Sequence, residues 1–339
     1  MSSQSTVVRF IAKTFKLPKW LLSLALVFIV SVGCSNATKA DLPKSIRLDY
    51  AYYNPVSLVL KEKGWVESEF AKDKIQVEWV LSQGSNKALE FLNARSLDFG
   101  STAGASALIG KANGNPIKSI YTYSKPEWVA LVTKGESSIK SVSDLKGKKV
   151  AATRGTDAFI FLLRSLDQVG LSDKDVTIIP LQHADGRAAL EKGDVDAWAG
   201  LDPHMAKAEL ESGARLFSRN PEFNSYGVLN VREEFAQRYP QLVERVLRIY
   251  EQGRQWAQEN PEELKAVLVK ESKLSPAVAA KQLERTDLSN SAIGGQQKNA
   301  IVAAGSVLKK SGIISESINV NQVVDSLIDP QYIDQIVKK

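Results

Sequence analysis

From residue 45 to residue 232, short apolar or alternating runs take turns with stretches of helical period. "SIRLDYA" (45–51), "KIQVEWVLS" (74–82), "SLDFGS" (96–101), "PIKSIYTYS" (116–124) and "WVALVTK" (128–134) read as strands. Between them "PVSLVLKEKGWV" (55–66), "SNKALEFLNA" (85–94) and "AGASALIGKA" (103–112) read as helices. The rhythm repeats with strands at 148–153, 175–181, 195–200 and 226–232, and helices at 157–170, 185–193 and 203–213. Pro203 in front of one helix and Gly170, Gly193 and Gly213 behind three of them are strong boundary signals. Strands separated by helices of about ten residues predict βα units and a mainly parallel sheet. From Glu233 onward the pattern is almost wholly helical, punctuated by Pro240, Pro261 and Pro276. The chain is thus expected to form two α/β blocks and a helical tail.

Two such lobes leave a cleft between them, and open α/β sheets bind ligands beyond the carboxyl ends of their strands. The residues at those ends are "YYNP" (52–55), "SQGSN" (82–86), "STAGAS" (101–106), "TRGTD" (153–157), "QHADG" (182–186) and "GLDPH" (200–204). They are small and polar, and several stand directly before a helix. A helix start offers unpaired N–H groups and about half a positive charge, so an anion is the expected guest. Gly155 allows close backbone approach, Thr156 caps or donates, and Arg154 offers a charge. Asp202-Pro203 and Asp185 read either as helix caps or as carboxylates facing a ligand. Tyr50, Tyr52, Tyr53, Tyr121, Tyr123, Trp128 and Trp198 lie near strand ends; most belong to a core, while one or two are expected to line a pocket.

Composition narrows the classes. The 339-residue chain has a formal charge of +6, of which Arg9, Lys13, Lys16 and Lys19 supply four within residues 1–33, a segment with no acid. The near-neutral remainder gives no concentrated basic face for nucleic acid. Residues 1–33 join this basic start to "WLLSLALVFIV", which is shorter than the ~20 apolar residues a bilayer span needs. An export signal is the expectation. Cys34 is the single cysteine, and its setting "SVGCSN" resembles a bacterial lipobox, in which that cysteine receives lipid. Residues 34–44 then form a polar tether.

No Gly-Lys-Ser/Thr phosphate loop, GxGxxG loop, HExxH or GxSxG elbow is present, so no cofactor, metal or catalytic residue is expected. His183 and His204 sit in separate loops, both placed to border the cleft.

Longer stretches carry a resemblance. "LDFGSTAGASALIGKANG", "SVSDLKGKKVAATRGTDAF", "LQHADGRAALEKGDVDAWAGLDPH" and "AELESGARLF" look like the substrate-binding proteins of ABC importers for aliphatic sulfonates, a group related to taurine and nitrate/bicarbonate binders. The resemblance runs from about residue 46 to about 260, and more loosely through the tail. It implies a type II periplasmic-binding-protein fold, with lobe 1 from 45–128 and 230–339 and lobe 2 from 129–229. It implies strands crossing between the lobes near 128–134 and 226–232. It further implies a monomeric, exported, non-enzymatic binder, lipid-anchored through Cys34, that delivers a small anion to membrane permease subunits. On this resemblance the sulfonate oxygens meet Thr102, Ala103, Gly104, Ala105 and Ser106 and the Gly155–Thr156 backbone. Asn54, Gln83, Asp185 and Asp202 then face the cleft, with Tyr123 and Arg154 beside it. A nitrate, bicarbonate or thiamine-pyrimidine-like ligand is the alternative, and a bilobal enzyme or a sensor the more distant one.

Overall fold

The computed structural model describes residues 42–337. The expected export signal, Cys34 and most of the tether lie outside the described residues. Among the described residues, eleven strands build two sheets. They are β1 (Ser45–Tyr50), β2 (Gln76–Leu81), β3 (Phe99–Ala103), β4 (Ile117–Pro126), β5 (Val129–Thr133), β6 (Lys149–Ala151), β7 (Thr177–Ile179), β8 (Ala197–Leu201), β9 (Arg215–Ser218), β10 (Gly227–Arg232) and β11 (Thr286–Asp287). The first sheet has the order β11-β4-β10-β3-β1-β2, the second β7-β6-β8-β5-β9. This is the mixed α/β architecture expected from the alternation.

The sheets are less uniformly parallel than expected. β1 pairs in parallel with β2 and β3, and β6 with β7 and β8. β10, however, runs antiparallel to both β3 and β4, and β5 antiparallel to β8 and β9. These are the two strands through which the chain passes from one sheet to the other, so each enters its new sheet against the prevailing direction. β3, β5, β8 and β10 are buried along their whole length. That is why "VALVT" and "AWAGL" read as continuous apolar runs rather than as alternation.

Local rules explain where other expectations slip. The helix expected over 55–66 ends at Lys63 because Gly64 takes φ +63°, and a second helix, Trp65–Ala71, starts at once. The helix expected from Asp185 starts at His183, which puts Asp185 in its first turn rather than at its cap. Asp202 does cap, from one residue further out: its Oδ1 accepts from Ala206 N at 2.8 Å, and the helix runs His204–Ser212. β9 and β11 are too short to give a period. In the tail, Pro240, Pro261 and Pro276 each open a helix, at the position where a missing N–H costs nothing. Helix Pro240–Glu259 buries Leu242, Val243, Val246, Leu247, Ile249 and Tyr250 on one stripe, which joins the core shared with Val56, Val59 and Leu60. No helix among the described residues is long and apolar enough to cross a membrane.

The passages between the sheets are tied together. Asp157, first residue of helix Asp157–Gln168, accepts from Trp128 Nε1 and Ser225 N, both at 2.9 Å, and from Ser225 Oγ at 2.7 Å. Trp128 directly precedes β5 and Ser225 lies two residues before β10. One buried carboxylate therefore holds both crossings.

Candidate functional site

The carboxyl ends of the strands enclose a cavity of about 350 Å³. Tyr52 and Tyr53 follow β1, and Leu81, Ser82 and Gln83 close β2; these form one wall. Gln182 to Asp185, beyond β7, and Leu201 to His204, at the end of β8, form the other. The apolar surfaces come from Tyr52, Tyr53, Leu81, Leu201 and Pro203. Among the described residues the lining contains two carboxylates, two imidazoles and no lysine or arginine.

What the cavity has instead is helix starts. Gln182 caps helix His183–Lys192, Pro203 stands before helix His204–Ser212, and Gln83 adjoins Gly84, the cap of helix Ser85–Asn93. The first amides of each helix have no carbonyl one turn back to receive them, and the dipoles add positive potential at the same end.

Both histidines line the cavity as neutral rings. Burial pushes His183 down to about 3, helped by nearby His204, and burial pushes His204 down to about 4. The tautomer of His183 follows from its neighbours. Thr153 Oγ1 donates its only proton to Leu181 O at 2.7 Å, so its contact with His183 Nδ1 at 3.2 Å makes Nδ1 the donor. Nε2 keeps its lone pair, buried and unpartnered. It faces the opposite wall, where a Cβ on Gly84 would lie 3.2 Å from it. Gly84 thus lets the two walls approach.

Asp202 is buried, and burial pushes its carboxyl up to about 7 against the pull of Arg285. Arg285 Nη1 lies 3.3 Å from Asp202 Oδ2, and its Nη2 is bonded to Glu209. From the same tail segment Gln282 Nε2 donates to Tyr52 O at 2.6 Å.

Of the residues assigned to the ligand from sequence, Gln83, Asp185 and Asp202 are on the lining, and so are Tyr52, Tyr53, His183 and His204 from the aromatics and histidines read as bordering the cleft. The other assigned residues lie off the wall, most of them engaged elsewhere in the fold. Asn54 caps helix Pro55–Lys63 through its Oδ1 and donates Nδ2 to Ser101 Oγ at 2.7 Å. Thr102 Oγ1 accepts from Asn230 Nδ2 at 2.8 Å. The amides of Ala103, Gly104 and Ala105 donate to Ser85 Oγ, Tyr226 O and Ser225 Oγ, so this helix start is not a free anion cradle. Ser106 Oγ and Tyr123 Oη are buried without a partner, off the cavity wall. Arg154 is exposed and stacks on the Phe159 ring. Gly155 lies against Asn86, its notional Cβ 3.5 Å from that side chain. Thr156 Oγ1 donates to Thr153 O at 2.7 Å. Sequence reasoning missed Gln282 and Arg285, which sit in a helical stretch with no feature to connect them to a strand end. The described residues contain no group of three or more His, Cys, Asp or Glu able to hold a metal ion.

Two mixed sheets, two crossing strands and a cavity at the strand ends between them define the periplasmic-binding-protein fold. The sequence places the chain more closely. The profile of the NMT1/THI5-like family matches residues 56–264, and the chain belongs to that family. A Bacillus subtilis (strain 168) protein assigned as aliphatic sulfonates-binding is 31% identical over 314 residues, covering 91% of this chain and 95% of that one. Its Escherichia coli (strain K12) counterpart is 29% identical over 266 residues, 78% of this chain and 83% of that one. The solved alkanesulfonate-binding protein SsuA of Xanthomonas axonopodis pv. citri, bound to MOPS, superposes with a TM-score of 0.78 at 24% identity. That superposition covers 86% of this chain and all of the other, and shows the shared fold.

Proposed function

We propose that the cavity binds an aliphatic sulfonate and that the chain is the solute-binding component of an ABC importer. The observation that carries the reading is a cavity rich in helix starts, with apolar walls and, among the described residues, no lining cation. A sulfonate stays ionised at any physiological pH, so it needs fixed donors and no titrating partner. Its alkyl chain needs the Tyr52, Leu81 and Leu201 surfaces. Amide dipoles also let go more readily than a buried ion pair when a cleft opens. The size favours an organic anion over nitrate or bicarbonate. A volume of about 350 Å³ is near the lower end of organic-ligand pockets, and far above the ~30 Å³ share of a single water. The first-turn amides at His183–Asp185 and at His204, with the Gln83 and Gln182 side chains, are the donors assigned to the sulfonate oxygens.

Binding rather than catalysis fits the chemistry of the lining. His183 Nε2 is a poor proton acceptor at neutral pH, since burial holds its conjugate acid at about 3. Export, attachment through lipidated Cys34 and delivery to permease subunits complete the reading. The basic, apolar start of the chain and the lipobox-like "SVGCSN" support export and the anchor.

Calorimetric titration of the exported domain with butane-1-sulfonate, taurine, nitrate and bicarbonate tests the proposal. At least one sulfonate is expected to bind with micromolar or better affinity and to raise the melting temperature. If nitrate or bicarbonate binds and no sulfonate does, the sulfonate reading fails; if none of the four binds, the anion site itself fails.

A further inference from the structure

An anion-binding cavity with Asp202 in its wall contains an electrostatic contradiction. Asp202 is 2% exposed, so little water screens it from a ligand. The structure resolves the contradiction from outside either wall. We infer that Arg285 is the residue that makes this cavity anion-selective: it neutralises Asp202 from behind and so permits a negatively charged ligand beside a buried carboxylate. The inference rests on the sulfonate reading above.

Three observations carry it. Arg285 Nη1 lies 3.4 and 3.3 Å from Asp202 Oδ1 and Oδ2, and the guanidinium is itself buried, its side chain 4% exposed. Its second nitrogen is committed to Glu209, which holds the fork in orientation. Its backbone is fixed at the passage between the sheets: Arg285 O accepts from Glu127 N at 2.7 Å, and Thr286 pairs with Pro126. The arginine therefore sits beside the link from β4 to β5 and belongs to neither cavity wall. Gln282, one helical turn earlier, holds the opposite wall through Tyr52 O. A four-residue piece of the tail thus grips both sides of the cleft and supplies its hidden cation. Arg285 is a positioning and specificity residue, since it does not line the cavity.

The test uses two probes of one shape, butane-1-sulfonate and the neutral butane-1-sulfonamide, titrated calorimetrically at about pH 8. Arg285→Met removes the cation that holds the Asp202 carboxyl down, so titrations from about pH 8 to about pH 9 are expected to show sulfonate binding weakening about tenfold or more as that carboxyl ionises, while sulfonamide affinity changes less than about threefold. Arg285→Met combined with Asp202→Asn is expected to recover most of the lost sulfonate affinity. A purely structural role predicts equal losses for both probes and no rescue, and that pattern overturns the inference. If Arg285→Met does not fold, Asp202→Asn alone decides. Removing the carboxylate charge while Arg285 remains is expected to tighten sulfonate binding relative to sulfonamide; an unaltered or lower ratio of the two affinities overturns the inference. Wild-type protein that binds sulfonamide but not sulfonate removes the underlying sulfonate reading instead.

Discussion

Replacing Asp157 isolates the junction between the two sheets. In Asp157→Ala the indole N–H of Trp128 and the amide of Ser225 lose their acceptor in a site that is 2% exposed. Each stranded donor costs about 1–3 kcal/mol, and the Ser225 hydroxyl loses a third bond, so a total of roughly 3–5 kcal/mol is expected. Asp157→Asn keeps the size and one acceptor but turns an N–H2 group toward a donor, and is expected to cost roughly 1–3 kcal/mol. The pH dependence separates burial from hydrogen bonding. Burial pushes Asp157 up from 3.8 to about 6, against the bonds from Ser225 and Trp128. The folded protein then holds a proton that the unfolded chain has released between those two values. This contribution is fully present below the unfolded value and is lost as pH rises through about 6. Its size is on the order of 3 kcal/mol. The asparagine variant has no such slope, so the stability gap between wild type and Asp157→Asn is expected to be wider near pH 4.5 than near pH 7.5. Urea unfolding at several pH values measures it, and contributions from Asp49 and Asp202 cancel in the difference. A gap that widens as pH rises would mean that three hydrogen bonds to the ionised form outweigh burial, and would refute the reasoning.

Two further outcomes follow from the site. Between pH 8 and 6 the histidines stay neutral and Asp202, at about 7, is the lining group that takes up a proton. Loss of its negative charge is expected to tighten sulfonate binding about three- to tenfold as pH falls. Titrations of wild type and Asp202→Asn check this: a rise that survives in the variant but vanishes in His183→Gln assigns the proton to His183 instead. Thr156→Val removes a hydroxyl bonded to Thr153 O and is expected to lower stability by about 1 kcal/mol with sulfonate affinity unchanged. A tenfold change in affinity at constant melting temperature returns Thr156 to the binding site.

The architecture was legible because it is written in short-range signals. Apolar runs, Pro-opened helices and Gly-closed helices marked the alternation, and the alternation placed the cavity at strand ends. The loop "QHADG" and the loop "GLDPH" both deliver residues to its wall. What the sequence did not reveal was which small polar loops are already satisfied. "STAGAS" and "SQGSN" look alike in composition. In the fold, three amides of the first meet Ser85, Tyr226 and Ser225, whereas the second leaves Gln83 at the wall. That distinction depends on partners between 18 and 122 positions away. Arg285 was invisible for the same reason, since its contact with Asp202 spans 83 positions and no period links a tail helix to a strand end.

The absence of lysine and arginine from the cavity wall has a consequence for the medium in which such a protein works. Mobile ions weaken attraction between exposed charges within a screening length of about 8 Å at physiological ionic strength. Here the positive potential comes from backbone dipoles inside a pocket and from a guanidinium buried behind it, where mobile ions do not reach. On the function proposed above, affinity for the anion is then expected to depend little on ionic strength, a property suited to a medium whose salinity a cell does not set.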